Sequence, residues 1–196
     1  MNDVQVSQDQ GWAEIILGPM FSRKSDELMA RLDSAQCAGA CVVAFKPAKD
    51  TEADACLKTR RFNGQQFEAF EVHNAEEMLG LVTPKHQIIG MDEVQFFGPV
   101  LVKVVQKFIR DGKRVIMAGL NTDSEFNPFK PEVVGALTLL CESIEVKHAH
   151  CVYHPMRDAT RSRRKVAESG QVLVGKNLYE AVCRDCFASL VPFKDS

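Results

Sequence analysis

The stretch that most limits how this chain can fold is Gly18-Pro19-Met20-Phe21-Ser22-Arg23-Lys24-Ser25. It follows the apolar run Trp12-Ala13-Glu14-Ile15-Ile16-Leu17 and precedes Leu28, Met29, Leu32 and Ala35 at helical spacing. A strand, a tight loop and a helix opening on Lys-Ser are the parts of a phosphate-binding loop. In such a loop backbone N–H groups and the positive end of the helix dipole face an anion. The lysine reaches the β/γ-phosphates and the serine hydroxyl serves Mg²⁺. The full pattern is G-x-x-x-x-G-K-[ST], and Arg23 stands where its second glycine belongs. Arginine there either crowds the backbone or adds charge that suits phosphate. The plainer reading, an ordinary strand-to-helix turn, is weakened by Lys24-Ser25.

The rest of the chain extends this unit. Residues 26–38 read as an amphipathic helix with Asp26 and Glu27 in its first turn, where the dipole favours acids. Gly39 stops it, and 40–45 is a short buried strand. The charged segment 46–61 reads as loop, and 66–72 as a weak strand after a turn at Asn63-Gly64. Asn74 caps a helix over 75–81, and 87–91 is an apolar strand. A helix over 100–111, a strand over 113–118, a surface loop over 121–131, a helix over 133–140 and a strand over 144–149 complete the alternation. Strands alternating with helices predict an α/β fold, a doubly wound parallel sheet with flanking helices, over about residues 11–150. From 151 the texture turns polar and basic, which predicts a small second module over 151–190. Residues 1–10 and 191–196 read as disordered tails.

Two further groups carry chemistry. Asp92 and Glu93 end the strand 87–91, where α/β sheets bind ligands. Asp92 can serve Mg²⁺ opposite the loop serine, and Glu93 can act as a general base toward a substrate hydroxyl. Cys151-Val152-Tyr153-His154 and Cys183-Arg184-Asp185-Cys186 form two C-x-x-[CH] knuckles, the four N/S ligands of a closed tetrahedral zinc site. Four protein ligands leave no open position, so this zinc is structural, and it supplies folding energy to a module with little core of its own.

Between the knuckles, Arg157, Arg161, Arg163, Arg164 and Lys165 read as a solvated, mobile loop able to close over a ligand. A nucleic-acid patch is disfavoured by the net charge of −2 and the lack of interleaved aromatics. Of the seven cysteines, Cys37, Cys41 and Cys141 sit among apolar neighbours and read as buried thiols. With 45% hydrophobic residues the chain can bury a sizeable core, and no run of 18 apolar residues suggests a membrane span. With no secretory signal either, the chain reads as a soluble cytoplasmic protein.

Taken together, GPMFSRKS, FKPAKDT at 45–51, GMDEVQFF at 90–97, Ala118-Gly119-Leu120 before Pro128-Phe129, and the two knuckles resemble the type II (zinc-containing) thymidine kinase family. The likeness runs from about Gly11 to Phe187, with motifs in the family's order. It implies transfer of the ATP γ-phosphate to the 5′-hydroxyl of thymidine with Mg²⁺, commonly by a tetramer. Gly18 to Ser25, Asp50, Asp92 and Gln95 would form the ATP and magnesium site, and Glu93 would be the catalytic base. Met20, Phe96, Ser162 and Tyr179 would face the nucleoside, and the region after Cys151 would be a lasso loop whose backbone reads thymine. Cys151, His154, Cys183 and Cys186 would hold zinc.

The chain departs from that family at clustered positions. Arg23 replaces glycine, Glu52 replaces an arginine that can neutralise the transferring phosphate, and Ser124 stands where a base-lining Phe is expected. Gly175-Lys176 replaces a Gly-Gly pair before Tyr179. These changes leave open a second reading, a catalytically weak or inactive homologue with a structural or regulatory role.

Overall fold

In a computed structural model the chain is described over residues 10–48, 56–57, 67–165 and 178–190. The elements in order are β1 (Trp12–Gly18), α1 (Lys24–Cys37), β2 (Val42–Pro47), β3 (Cys56–Leu57), β4 (Phe67–Glu68), β5 (Phe70–Val72), α2 (Glu77–Leu81), β6 (Ile88–Met91), α3 (Val100–Arg110), β7 (Arg114–Leu120), α4 (Ala136–Leu140), β8 (Ser143–Val146), β9 (Ala149–His150), β10 (Asp158–Ala159), β11 (Arg161–Arg164), β12 (Tyr179–Val182) and α5 (Arg184–Leu190). Six strands form one sheet in the order β5-β2-β6-β7-β1-β8. Every pairing in it is parallel.

Side chains alternate across the sheet and build two cores. Ala13, Ile15 and Leu17 of β1 meet Leu101, Val104, Val105 and Phe108 of α3 and Leu137 of α4 on one face. Ile16 meets Leu28, Met29 and Leu32 of α1 on the other. The chain thus crosses by α1 in one direction along the sheet and by α3 and α4 in the opposite direction on the opposite face. A single hand of crossover requires this arrangement. It brings the C-terminal ends of β6, β7 and β1 side by side.

An ionic cluster fastens α1 to the sheet behind the phosphate loop. Glu14 on β1 is 3% exposed. It accepts from Arg31 of α1 and from Arg114 Nε of β7 at 2.8 Å. Arg31 also reaches Glu27 at 3.1 Å and pairs with Glu145 of β8. Lys147 bridges Glu27 at 3.0 Å and Glu145 at 3.4 Å. A carboxylate as buried as Glu14 is tolerable only because two guanidinium groups meet it.

Local departures from the sequence expectations have physical causes. Cys37 and Cys41 are exposed, not buried, and Cys141 is half-buried. The fully buried residues of α1 end at Leu32, and Cys37 and Cys41 fall at its end and in the link to β2. The helix expected over 75–81 begins at Glu77 with Glu76 as its N-cap, and Asn74 stands one turn ahead of it. Asn74 Oδ1 accepts from Glu77 N–H at 3.0 Å while the Glu77 carboxylate takes His73 N–H. The helix expected over 133–140 is preceded by one wide turn, Pro131–Gly135. The strand expected over 144–149 divides at Lys147, whose N–H bonds Leu17 O at 2.8 Å before the chain leaves the sheet.

The basic segment expected as a mobile loop is strand over much of its length. β10 pairs with β9 and β11 with β12, both antiparallel. Its cations have partners: Arg157 with Asp185 at 2.7 Å, Arg163 with Glu180 at 3.1 Å, and Arg164 over the Tyr179 ring at 5.7 Å. Helix α5 was not foreseen. It buries Cys186 and Phe187 into a small core with Ala149, Ala159, Ala181 and Val182. The expected turn at Asn63-Gly64, the tails 1–9 and 191–196, Asp50, Glu52 and the Gly175-Lys176 pair lie outside the described residues.

Candidate active site and metal centre

The loop after β1 is built by backbone geometry that its sequence only partly favours. Gly18 has φ 148°, and a Cβ there would lie 2.3 Å from Lys147 O, so glycine is required. Phe21 and Arg23 adopt left-handed φ of 65° and 62°. Arg23 therefore occupies the conformation that a second glycine would supply. Its guanidinium turns outward to Asp26 at 2.8 Å, with 70% of the side chain exposed. It neither fills the loop nor points into it. Ser22 Oγ donates to Pro19 O at 2.8 Å, and Lys24 Nζ donates to the same carbonyl at 2.8 Å, closing the loop on itself.

Across the neighbouring strand β7 stands the acidic pair. Asp92 is 6% exposed. Its N–H donates to Phe45 O of β2 at 2.9 Å. The Ser25 side chain acts on its carboxyl, so the two residues expected to share a cation face each other. Burial, followed by repulsion from Glu93, pushes the Asp92 carboxyl up to about 7, against the opposing pull of Ser25 and Lys24. Burial likewise pushes the Lys24 ammonium down, opposed by Glu93 and Asp92. Half-buried Lys24 and Ser25 and buried Asp92 thus form one cluster at the mouth of α1. Hard oxygen donors such as a serine hydroxyl and a carboxylate are what a magnesium ion takes.

Glu93 follows in a left-handed conformation, φ 53°, its N–H donating to Asp92 Oδ1 at 2.9 Å. Its carboxylate is held by Gln95 Nε2. Gln95 is fully buried, and its Oε1 accepts Leu120 N–H at 3.0 Å. Gln95 was expected at the ATP and magnesium site, and both ends of its amide are engaged within the protein. Phe96 is half-buried and meets Phe129 edge-on, with ring centroids 6.0 Å apart.

The second module touches this site directly. Met20 N–H donates to Ser162 Oγ of β11 at 2.8 Å, and Ser162 is 3% exposed. Tyr179 lies opposite Arg164 in the β11–β12 ladder. Ser124 replaces the expected Phe, and Phe126, two residues on, turns at φ 69° instead. Its ring lies 3.3 Å beneath Arg161 Cζ and packs edge-on to Phe187. The Phe126–Arg161 contact and the need for Gly119 beside Gln95 were missed from sequence. The glycine in Ala118-Gly119-Leu120 was the available signal.

Cys151, His154, Cys183 and Cys186 converge, with ligand atoms all within 4.8 Å of one another. Cys151 Sγ lies 3.9 Å from Cys186 Sγ, and His154 Nδ1 lies 3.2 Å from Cys186 Sγ and 3.7 Å from Cys183 Sγ. A tetrahedron with metal–sulfur bonds of about 2.3 Å has edges of about 3.8 Å, so the set can hold a metal ion and is compatible with zinc. Backbone N–H groups lower the Cys183 thiol, while burial and the neighbouring Cys183 and Cys151 push Cys186 up to about 12.

A parallel sheet carrying this loop, with an acidic pair one strand away, defines an α/β protein of the phosphate-loop class. Residues 11–187 match the family described as thymidine kinase. The chain is 37% identical over 188 residues to a thymidine kinase of Bdellovibrio bacteriovorus, covering 95% of this chain and 90% of that protein. It is 36% identical over 181 residues to a thymidine kinase of Rhodothermus sp., covering 90% of this chain and 81% of that protein. The chain belongs to the thymidine kinase family. No helix among the described residues is long and apolar enough to cross a membrane.

Proposed function

We propose that this chain transfers the γ-phosphate of ATP to the 5′-hydroxyl of thymidine. The observation that carries the reading is the cluster of half-buried Lys24 and Ser25 with buried Asp92 at the start of α1, and Glu93 beside it. Loop backbone from Gly18 to Arg23 and the Lys24 ammonium would cradle the ATP phosphates, as a helix N-terminus favours. Ser25 and Asp92 would hold magnesium, and Asp50 of the AKD motif would serve magnesium or the phosphate-transfer region. Bound there, magnesium would neutralise charge spread over the phosphate oxygens. Glu93 would accept the proton of the 5′-hydroxyl as its oxygen bonds the γ-phosphorus and the bond to the β-phosphate breaks.

Met20, Phe96, Ser162 and Tyr179 would face the nucleoside. A thymine edge read by backbone groups discriminates well, because a wrong base leaves buried polar groups unpaired. We place the nucleotide-binding part over 11–150 and a zinc-bearing module with its lasso loop over 151–190. Cys151, His154, Cys183 and Cys186 would hold a structural zinc that supplies folding energy to the small module. A homo-oligomer, a tetramer by family likeness, and a cytoplasmic location belong to the same reading. The weak-homologue alternative leaned on Arg23, Glu52 and Ser124; of these, the Arg23 side chain leaves the loop built and faces away from it, and Glu52 lies outside the described residues.

Purified protein with ATP, magnesium and thymidine should form thymidine monophosphate, and Glu93→Gln should lower kcat by about 10²- to 10⁴-fold while Mg-ATP still raises Tm. Wild-type turnover no higher than that of Glu93→Gln, in folded protein, would overturn the reading.

A further inference from the structure

We propose that Gln95 and Gly119 are positioning residues that aim one oxygen of the Glu93 carboxylate by tying the other to the end of β7. This rests on Glu93 being the base. Gln95 Nε2 donates to Glu93 Oε2, and Gln95 Oε1 accepts Leu120 N–H at 3.0 Å. The backbone donor fixes which end of the amide is oxygen, so the nitrogen necessarily faces Glu93. Gln95 is completely buried. Its amide therefore cannot trade these partners for water.

Gly119 makes room for this arrangement. A Cβ on Gly119 would lie 2.9 Å from Gln95 Oε1 and 2.8 Å from Val94 Cγ2. Leu120, which supplies the anchoring N–H, pairs in register with Gly18 at the head of the phosphate loop. The carboxylate is thus indexed to the strand pair that carries the loop, not to the mobile tip of its own side chain. With Oε2 held, Oε1 is left for a substrate hydroxyl. A left-handed Glu93 backbone, with its N–H on Asp92 Oδ1 at 2.9 Å, fixes the other end of the side chain. A base fixed at both ends needs no reorganisation as the reaction begins.

Gln95→Glu separates positioning from support. It keeps an acceptor for Leu120 N–H and the same size, but replaces the donor to Glu93 with a like charge. Gln95→Met removes both bonds. Both variants should lower the single-turnover rate of phosphoryl transfer by about 10- to 100-fold, with KM for ATP and thymidine within about threefold of wild type. In a Glu93→Gln background, Gln95→Met should change the residual rate less than about twofold, because it acts through Glu93. Equal losses in both backgrounds, or an unchanged rate in Gln95→Glu, would overturn the inference. Full activity of Glu93→Gln alone would instead overturn the base assignment, which separates the two failures. Should Gln95→Met fail to fold, Gln95→Glu set against the double variant Glu93→Gln/Gln95→Glu decides by the same criterion.

Discussion

Ser162 and Met20, 142 residues apart in the chain, are joined by a hydrogen bond in which Met20 N–H donates to Ser162 Oγ at 2.8 Å. Through it strand β11 props the phosphate loop. Ser162→Ala leaves the Met20 N–H without this partner, at a cost of about 1–3 kcal/mol. The expected outcome is a Tm lower by about 2–4 °C per kcal/mol lost and weaker Mg-ATP binding. Calorimetry and a thermal scan check it. An unchanged nucleotide affinity would separate the prop from the site.

Metal removal should be felt at the same place. Strand β12 runs straight into Cys183, and Ala181 of β12 pairs with Ser162 of β11. Chelation, or Cys183→Ser, should unfold β9 to β12 and α5 while leaving the six-stranded sheet, and should weaken Mg-ATP binding through loss of the Ser162 prop. Metal analysis should find one zinc per chain before chelation. Hydrogen exchange along residues 149–165 and 12–24 reads the two effects separately.

Asp92 predicts a pH dependence. Its folded carboxyl stands near 7, above an ordinary value of 3.8. The folded state therefore holds this proton more tightly than the unfolded one. The stability it contributes is fully present below about 3.8 and is lost as pH rises toward 7. A magnesium ion at Asp92 displaces the proton, so Mg-ATP affinity should tighten as pH rises toward 7, with proton release on binding below it. Calorimetry in two buffers of different ionisation enthalpy measures that release. Asp92→Asn should abolish it and flatten the stability loss.

Arg23 should be replaceable. Glycine at φ 62° relieves strain of about 1–2 kcal/mol. It also forfeits an exposed ion pair to Asp26 worth at most about 1 kcal/mol and adds freedom to the unfolded chain. Arg23→Gly should leave stability within about 1 kcal/mol and kcat within about threefold, as kinetics and denaturant titration can test. A large gain in activity would mean that the arginine obstructs the loop.

Much of this was readable from residue order. The alternation of apolar runs and helical spacings marked the parallel sheet, because buried parallel strands are near-continuous apolar runs. Lys24 and Ser25 opened a helix after a strand and its loop, Asp92 and Glu93 sat at a strand end, and the knuckle spacing marked the four candidate ligands. What sequence hid was where long polar side chains find partners. Arg157, Arg163 and Arg164 looked like a solvated run, yet strand pairing brings Asp185, Glu180 and Tyr179 to them. Glu14 looked like an interruption in an apolar strand until Arg31 and Arg114 met it. Helix α5 is short and its burial depends on the knuckle, so no periodicity announced it. Phe126 reaches the module only because its left-handed turn redirects the ring, a backbone choice that composition does not mark.

The prop on the phosphate loop also sets an order of assembly during synthesis. Met20 leaves the ribosome early, whereas Ser162, Cys183 and Cys186 follow the whole sheet. Since chains fold from the N-terminus as they emerge, β1 and α1 must wait for β11 before their loop is braced. A nascent chain stopped between Val146 and Ser162 would carry the sheet and every phosphate-facing residue, yet lack the brace, and it would be the form that quality-control proteases meet first.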